Sequence, residues 1–244
     1  MIKNIKSFIK EAILRRLHIP FSKHGLPLPL LNYLPKGIPI TIVDVGAHLG
    51  DFTETISKHS NIKQAILVEA IPSLAKHLKN RFNLANYSVF ECALSDKAGR
   101  VDFEVNDVAA TSSMLKICRE MPELSGIGLG DSATINCQAR TLDDVVIEVG
   151  VNNIDLLKID VQGAEHLVLN GGKDALNRTS MVWIEVSYKP LYKEACTFFD
   201  IYKMLYDSGF ILVALETAFC GPNGELLQGD ALFIKKENGF EKKN

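Results

Sequence analysis

The sequence predicts an α/β fold: a mostly parallel seven-stranded sheet with helices on both faces and an antiparallel hairpin at its C-terminal end. Three observations carry this. Short β-branched runs alternate with helical stretches, the pattern of successive β-α-β units. The first run, with Ile40, Ile42, Val43 and Val45, is too short for a helix and apolar on both faces, as a central parallel strand must be. The last two runs, Phe210–Leu215 and Ala231–Lys235, flank a loop holding Gly221-Pro222-Asn223-Gly224, a hairpin signal.

The stretch VDVGAHLGD at 43–51 organises the rest. Asp44 sits at the carboxyl end of the first strand, Gly46 and Gly50 follow, and a helix starts at Asp51. Glycines there let the backbone approach a ligand, and open α/β sheets bind ligands outside the carboxyl ends of their strands. The G-x-x-x-G spacing with an acid before it is not the dinucleotide G-x-G-x-x-G, and no Gly-Lys-Ser/Thr is present to cradle phosphate. An acid beside a glycine turn suits a ligand with an ammonium group and ribose hydroxyls. The alternative is a tight strand-to-helix turn with no ligand.

In chain order, residues 2–17 carry Ile2, Ile5, Phe8, Ile9, Ile13 and Leu17 near helical spacing. Five basic residues stand there against one acid, Glu11, which predicts a basic amphipathic helix. It is read either as a cap on the sheet or a homodimer contact, or as a peripheral membrane contact. Five prolines between Pro20 and Pro39 make an extended connector, so 1–38 forms one region, 39–236 the main domain and 237–244 a polar tail. The second strand, Gln64–Ala70, ends on Glu69, 25 residues after Asp44, where nucleotide-binding α/β folds place the acid for ribose hydroxyls. Pro72 opens a helix over 73–83 with Leu74, Leu78 and Phe82 facing inward.

The third strand is expected at Tyr87–Leu94, with Asp96 after it either near an adenine or serving as a turn residue. Val101–Val105 reads as an edge or hairpin strand. Residues 106–133, including Ser112 and Ser113, look too polar for core and are expected to form a substrate-facing loop. Thr134–Arg140 resumes strand character and Leu142–Val146 begins a helix. The fourth parallel strand, Ile154–Asp160, again ends on an acid. A helix over 164–169 follows Gly163 and stops at Gly171-Gly172. The fifth strand, Met181–Val186, carries Trp183 and Glu185, and a helix at 198–208 leads to Gly209.

Composition sets bounds on function. The 244 residues, 47% hydrophobic, fit one large domain, and a net charge of −2 offers no global field for nucleic acid. Five scattered cysteines without C-x-x-C indicate neither a zinc site nor a disulfide framework, so a reduced, cytoplasmic setting is expected and no metal is assigned. No apolar run reaches roughly 18 residues, and Lys3, Lys6 and Lys10 interrupt any secretory leader.

Three stretches together, VDVGAHLGDFT (43–53), Thr-Leu-Asp-Asp (141–144) and LLKIDVQGAEHLVLNGG (156–172), resemble the FkbM family of S-adenosylmethionine (SAM)-dependent methyltransferases. The resemblance covers roughly residues 41–235 and implies the Rossmann-like class I methyltransferase fold, SAM as cofactor, and O-methylation of a hydroxyl on a sugar, glycan, polyketide or other small-molecule acceptor. It implies that Asp44, Gly46 and Gly50 line the methionine end, that Glu69 takes the ribose and that Asp96 lies near the adenine. It brings Asp160 and Glu165 to the reacting centre, as parts of K-x-D-x-E-G-x-E. His48, Ala70 and Gln162 depart from the usual asparagine, proline and glutamate.

An aliphatic hydroxyl is a poor nucleophile, so a base near it helps by about 10²–10⁴-fold. Asp160 is the first candidate; His48 and His166 are the others, because histidine titrates near working pH. Glu165, Glu185, Ser112 and Ser113 are expected to meet the acceptor. Rival functions are a nucleic-acid methyltransferase, which would carry Asn/Asp-Pro-Pro-Tyr/Phe where Asp160-Val161-Gln162-Gly163 stands, and a SAM-binding scaffold without catalysis.

Overall fold

The computed structural model describes residues 28–107, 109–124 and 130–236; the predicted N-terminal helix and the 237–244 tail lie outside them. A short helix α1 (Leu28–Tyr33) precedes strand β1 (Ile40–Val45), all six of whose residues are buried. Then come α2 (Asp51–Ser57), β2 (Ile62–Glu69), α3 (Pro72–Arg81), β3 (Tyr87–Glu91), β4 (Ala93–Leu94), β5 (Gly99–Asn106) and β6 (Ser132–Arg140). The second half runs α4 (Leu142–Val149), β7 (Ile154–Ile159), α5 (Glu165–Asn170), α6 (Lys173–Asn177), β8 (Thr179–Ser187), α7 (Phe198–Asp207), β9 (Phe210–Cys220) and β10 (Leu226–Lys235).

The main sheet has seven strands in the order β3-β2-β1-β7-β8-β10-β9. β10 lies between β8 and β9 and runs antiparallel to both; the other neighbours are parallel. Successive strands run outward from β1 to β3, and the chain then returns to place β7 on the other side of β1. That reversal opens a crevice at the carboxyl ends of β1 and β7. Alternation along β1 fills both faces. Val43 and Val45 pack with Val145, Val146, Ile201 and Leu205 on one side, and Ile40 and Ile42 with Ile56, Leu78 and Leu156 on the other.

Four expectations need correction. The described part of the proline connector is not extended throughout, since Leu28–Tyr33 form α1, with Pro29 in the first turn where a missing N–H costs no helix bond. The predicted single strand 87–94 is broken at Cys92, whose N–H donates to the Glu69 carbonyl at 3.1 Å and ends that ladder. Ala93 and Leu94 then leave the main sheet to pair with Ala139 and Arg140 in a second, three-stranded sheet, β4-β6-β5. The final strands extend well past the apolar runs, because their polar ends hydrogen-bond to each other in the hairpin. Ser112 and Ser113, in the segment expected to be too polar for core, are buried, with Ser113 fully so. Their hydroxyls serve the backbone: Ser112 accepts from Asn106 N–H at 3.0 Å and Ser113 from Leu115 N–H at 3.0 Å.

Gly171, at the end of α5, abuts the turn after β4; a Cβ there would lie 2.1 Å from the Ser95 carbonyl oxygen. Gly171→Ala is therefore expected to destabilise the fold by about 1–3 kcal/mol through overpacking. The check is urea unfolding with the midpoint lowered and the slope unchanged; a wild-type midpoint would show that the two turns are not in contact in solution.

Candidate active site

A cavity of about 420 Å³ opens where β1, β2 and β7 end, within the size range of small-molecule sites. Its first wall is apolar apart from one carboxylate: Glu69, Ala70, Ile71, Leu94, Phe103 and Met114. The rest of its lining holds the charged Lys158, Asp160, Glu216 and Asp230, with the neutral Gln162 and Trp183 among them.

Glu69, the last residue of β2, is held by the chain around it. Oε2 accepts from His48 N–H and Oε1 from Ile71 N–H, each at 2.9 Å. Burial pushes its carboxyl above the usual range, and these two backbone donors oppose that push. Each oxygen keeps a lone pair, so both can accept a further donor from the cavity.

The turn after β1 makes the floor. Gly46 has φ 72°, and a Cβ on it would lie 1.9 Å from the Asp160 carbonyl oxygen; only glycine lets the β1 turn lie against the end of β7. Beneath it, β1 and β7 align Asp44 directly with Lys158. The Lys158 ammonium lies 3.4 Å from Asp44 Oδ1 and 3.4 Å from Asp160 Oδ2, and donates to the Gly46 carbonyl at 2.8 Å. Burial pulls the pKa of Lys158 down, but Asp160 and Asp44 outweigh it and hold the ammonium charged, above its ordinary value. The Asp160 side chain is 39% exposed, so its carboxylate is available to the cavity.

Beyond Asp160 the sheet register creates a row of acids. β8 and β10 align Glu185 with Asp230, and β10 and β9 align Asp230 with Glu216. Like charges directly opposite are destabilising, and all three carboxyls are raised. Burial comes first in each case; Asp160 adds to it for Glu185 and Asp230.

Of the residues singled out from sequence, Gly46, His48, Glu69, Ser112 and Asp160 line the cavity together. The others stand elsewhere. Asp44 is completely buried, accepting from Thr53 Oγ1 at 2.6 Å beside Lys158. Gly50, with φ 85°, packs on Leu78 and Phe82. Asp96 is exposed beside Gly171, because the break at Cys92 carries it away with the second sheet. Glu165 is buried and accepts from Val161 N–H at 3.0 Å and Gly163 N–H at 3.1 Å, which shapes the loop after β7. Ser113 lies behind the wall, donating to the Val161 carbonyl at 3.3 Å. His166, half-buried on α5, has a pKa lowered by desolvation and lies off the lining. Glu185 reaches the site through Gln162 rather than by lining it.

Sequence reasoning missed Lys158, Trp183 as a cavity residue, Glu216 and Asp230. Lys158 carried a signal, a lone lysine inside the apolar run Leu156-Leu157-Lys158-Ile159 between Asp155 and Asp160. Glu216 and Asp230 carried none, since only the register of the final hairpin brings them to the site. Among the described residues, no group of three or more His, Cys, Asp or Glu is placed to hold a metal ion, and no helix is long and apolar enough to cross a membrane.

A seven-stranded sheet of this order, with an acid at the end of β2 and a charged crevice at the β1–β7 reversal, defines a class I SAM-dependent methyltransferase. The chain belongs to the FkbM family: the methyltransferase FkbM domain matches residues 44–212. Among its relatives it is 28% identical over 182 residues to 2-O-methyltransferase NoeI of Sinorhizobium fredii, covering 71% of this chain and 74% of that protein. It is 26% identical over 153 residues to methyltransferase sdnD of Sordaria araneosa, covering 53% of this chain and 59% of that one. The crystal structure of methyltransferase FkbM from Methylobacillus flagellatus shares the fold, with a TM-score of 0.52 at 14% identity, over 80% of this chain and 43% of that one.

Asp230 gives the site a pH signature. Burial and Asp160 raise its carboxyl to about 7 although Lys158 opposes them. The folded protein thus holds this proton more tightly than the unfolded chain, whose aspartate titrates near ~3.9. The associated stability is complete below that pH and is lost as pH rises through about 7. Asp230→Asn is expected to flatten the fall of stability across this window, measured by urea unfolding at stepped pH; an unaltered slope would contradict the assignment.

Proposed function

We propose that this protein transfers a methyl group from SAM to a hydroxyl of a sugar or glycan-like acceptor, with Glu69 holding the cofactor and Asp160 acting as base. The observation that carries this reading is that the two carboxylates open onto one cavity, with β1 between their strands. Two inter-strand spacings separate them by on the order of 10 Å, a span within the length of SAM.

The residues fit that cofactor. Glu69 offers an acceptor on each oxygen for a pair of ribose hydroxyls, and Phe103, Ile71, Leu94 and Met114 beside it make an apolar slot for a flat base. When bound, SAM supplies an electrophilic methyl group on a sulfonium whose departure leaves a neutral thioether. Lys158 would repel that cation if unpaired, but Asp44 and Asp160 set two carboxylates against its one ammonium. The remaining negative charge favours a cation in the crevice.

Asp160 holds its place with one oxygen near Lys158 and the other accepting from Gln162, and its free lone pairs can take the proton of an acceptor hydroxyl. Gly46 and His48 fix the turn against which the acceptor oxygen must align, and such alignment contributes roughly 7–11 kcal/mol in well-oriented reactions. The hydroxyl acceptor draws support from the NoeI relative, a 2-O-methyltransferase by name.

Two substitutions test the two roles. Glu69→Ala is expected to weaken SAM binding about 10- to 100-fold in calorimetry, the loss of a charged hydrogen-bond acceptor; wild-type affinity would remove Glu69 from the cofactor site. Asp160→Asn is expected to lower turnover on a panel of mono- and disaccharides by about 10²–10⁴-fold while SAM affinity stays within about threefold. A matching loss of SAM affinity would make Asp160 a cofactor ligand instead of the base.

A further inference from the structure

Gln162 follows Asp160 by two residues in a loop of unusual backbone. It has φ 55°, a left-handed conformation that costs a non-glycine residue energy and persists where the surroundings impose it. Gly163 follows with φ 97°, and Tyr192 packs so closely there that a Cβ on Gly163 would approach its ring to 3.1 Å.

The side chain explains what the strained backbone achieves. Gln162 Nε2 donates to Asp160 Oδ1 at 3.0 Å and to Glu185 Oε2 at 2.9 Å, using both amide hydrogens on two carboxylates. Its Oε1 accepts from the Tyr192 hydroxyl at 2.9 Å. That hydroxyl also lies 3.0 Å from the Thr111 carbonyl, so its one proton serves two acceptors. Tyr192 is 2% exposed. With the Asp160 carboxylate accepting and the phenol donating, this orientation of the amide satisfies every partner. Gln228 completes the arrangement by donating to the same Glu185 oxygen at 2.9 Å.

We propose that Gln162 is a positioning residue for methyl transfer: its amide ties Asp160 to Glu185 and fixes which lone pairs of Asp160 face the acceptor, and Tyr192 locks the amide. The proposal rests on the reading of Asp160 as base. A glutamate would nearly match Gln162 in shape yet reverse its effect, because it would set three carboxylates in contact where an amide now separates two. Many charges already face Asp160: Lys158 near the end of β7, Asp44 behind Lys158 on β1, Glu165 on α5, Glu185 on β8 and Asp230 on β10, with Glu216 behind Asp230 on β9. Tyr192 faces the same group as a neutral phenol, raised by burial and by these acids.

The test needs no acceptor for its first readout. In carbon-detected NMR of the ligand-free protein labelled at aspartate and glutamate carboxyls, Gln162→Glu is expected to raise the titration of the Asp160–Glu185 pair by at least one pH unit, about tenfold in proton affinity. Gln162→Gly, which accepts the left-handed backbone without strain and so preserves the loop, is expected to raise it by less. It should also lower turnover on the saccharide panel about tenfold, in kcat rather than KM. Titration curves matching the wild type in both variants would overturn the proposal, whatever the activities. Asp160→Asn separates it from the reading beneath it: full turnover in that variant would remove Asp160 as base, whereas an inactive Asp160→Asn beside unshifted Gln162 variants would leave the base and remove the positioning role.

Discussion

The site depends on one buried ammonium. Lys158 sits in the middle of the sheet with a side chain only 9% exposed, and an uncompensated charge there would cost several kcal/mol. Compensation comes from both sides of the chain: Asp44 is brought opposite it by the β1–β7 register, and Asp160 follows it just past the end of β7. The backbone joins in through the carbonyl of Gly46, whose missing side chain is what allows the turn after β1 to lie against the end of β7. Strand register, glycine turn and charge balance are thus a single constraint. Relaxing any of them leaves a buried charge without its partner.

The same constraint accounts for the character of the crevice. Asp44 is consumed by Thr53 and Lys158 and serves the interior, whereas Asp160 shares the lysine yet remains open to the cavity. Farther along, Glu185, Asp230 and Glu216 stand opposite one another on neighbouring strands, an arrangement that a sheet selected for stability alone would avoid. Two glutamine amides, Gln162 and Gln228, meet Glu185 and relieve part of the repulsion. Local instability concentrated beside an exposed carboxylate is the pattern expected where chemistry has shaped a site.

Much of this was legible in the sequence because it follows from local rules. Strand length, alternation and turn residues placed β1, β2, β7 and the terminal hairpin, and an acid at the end of a parallel strand directed attention to Glu69 and Asp160. What escaped is what only pairing reveals. Asp44 looks like a ligand-facing acid until Lys158 is set beside it by the neighbouring strand. Asp96 looks close to the cofactor until the chain breaks at Cys92 and enters a second sheet. Asp230 and Glu216 lie just outside the apolar runs 210–215 and 231–235, and their part in the crevice depends on hairpin register. Ser112 and Ser113 looked too polar for core yet both are buried, because a buried hydroxyl is well placed once it serves the backbone; Ser112 still borders the cavity.

The proposed function requires one crevice to hold cofactor and acceptor between Glu69 and Asp160. A crystal structure with S-adenosylhomocysteine, the product that lacks the transferred methyl, tests this most directly. The account requires both ribose hydroxyls within hydrogen-bonding distance of Glu69, the base in the slot beside Phe103 and Met114, and the sulfur turned toward Asp160. Product bound elsewhere, or in the crevice with Glu69 making no contact to the ribose, would contradict it.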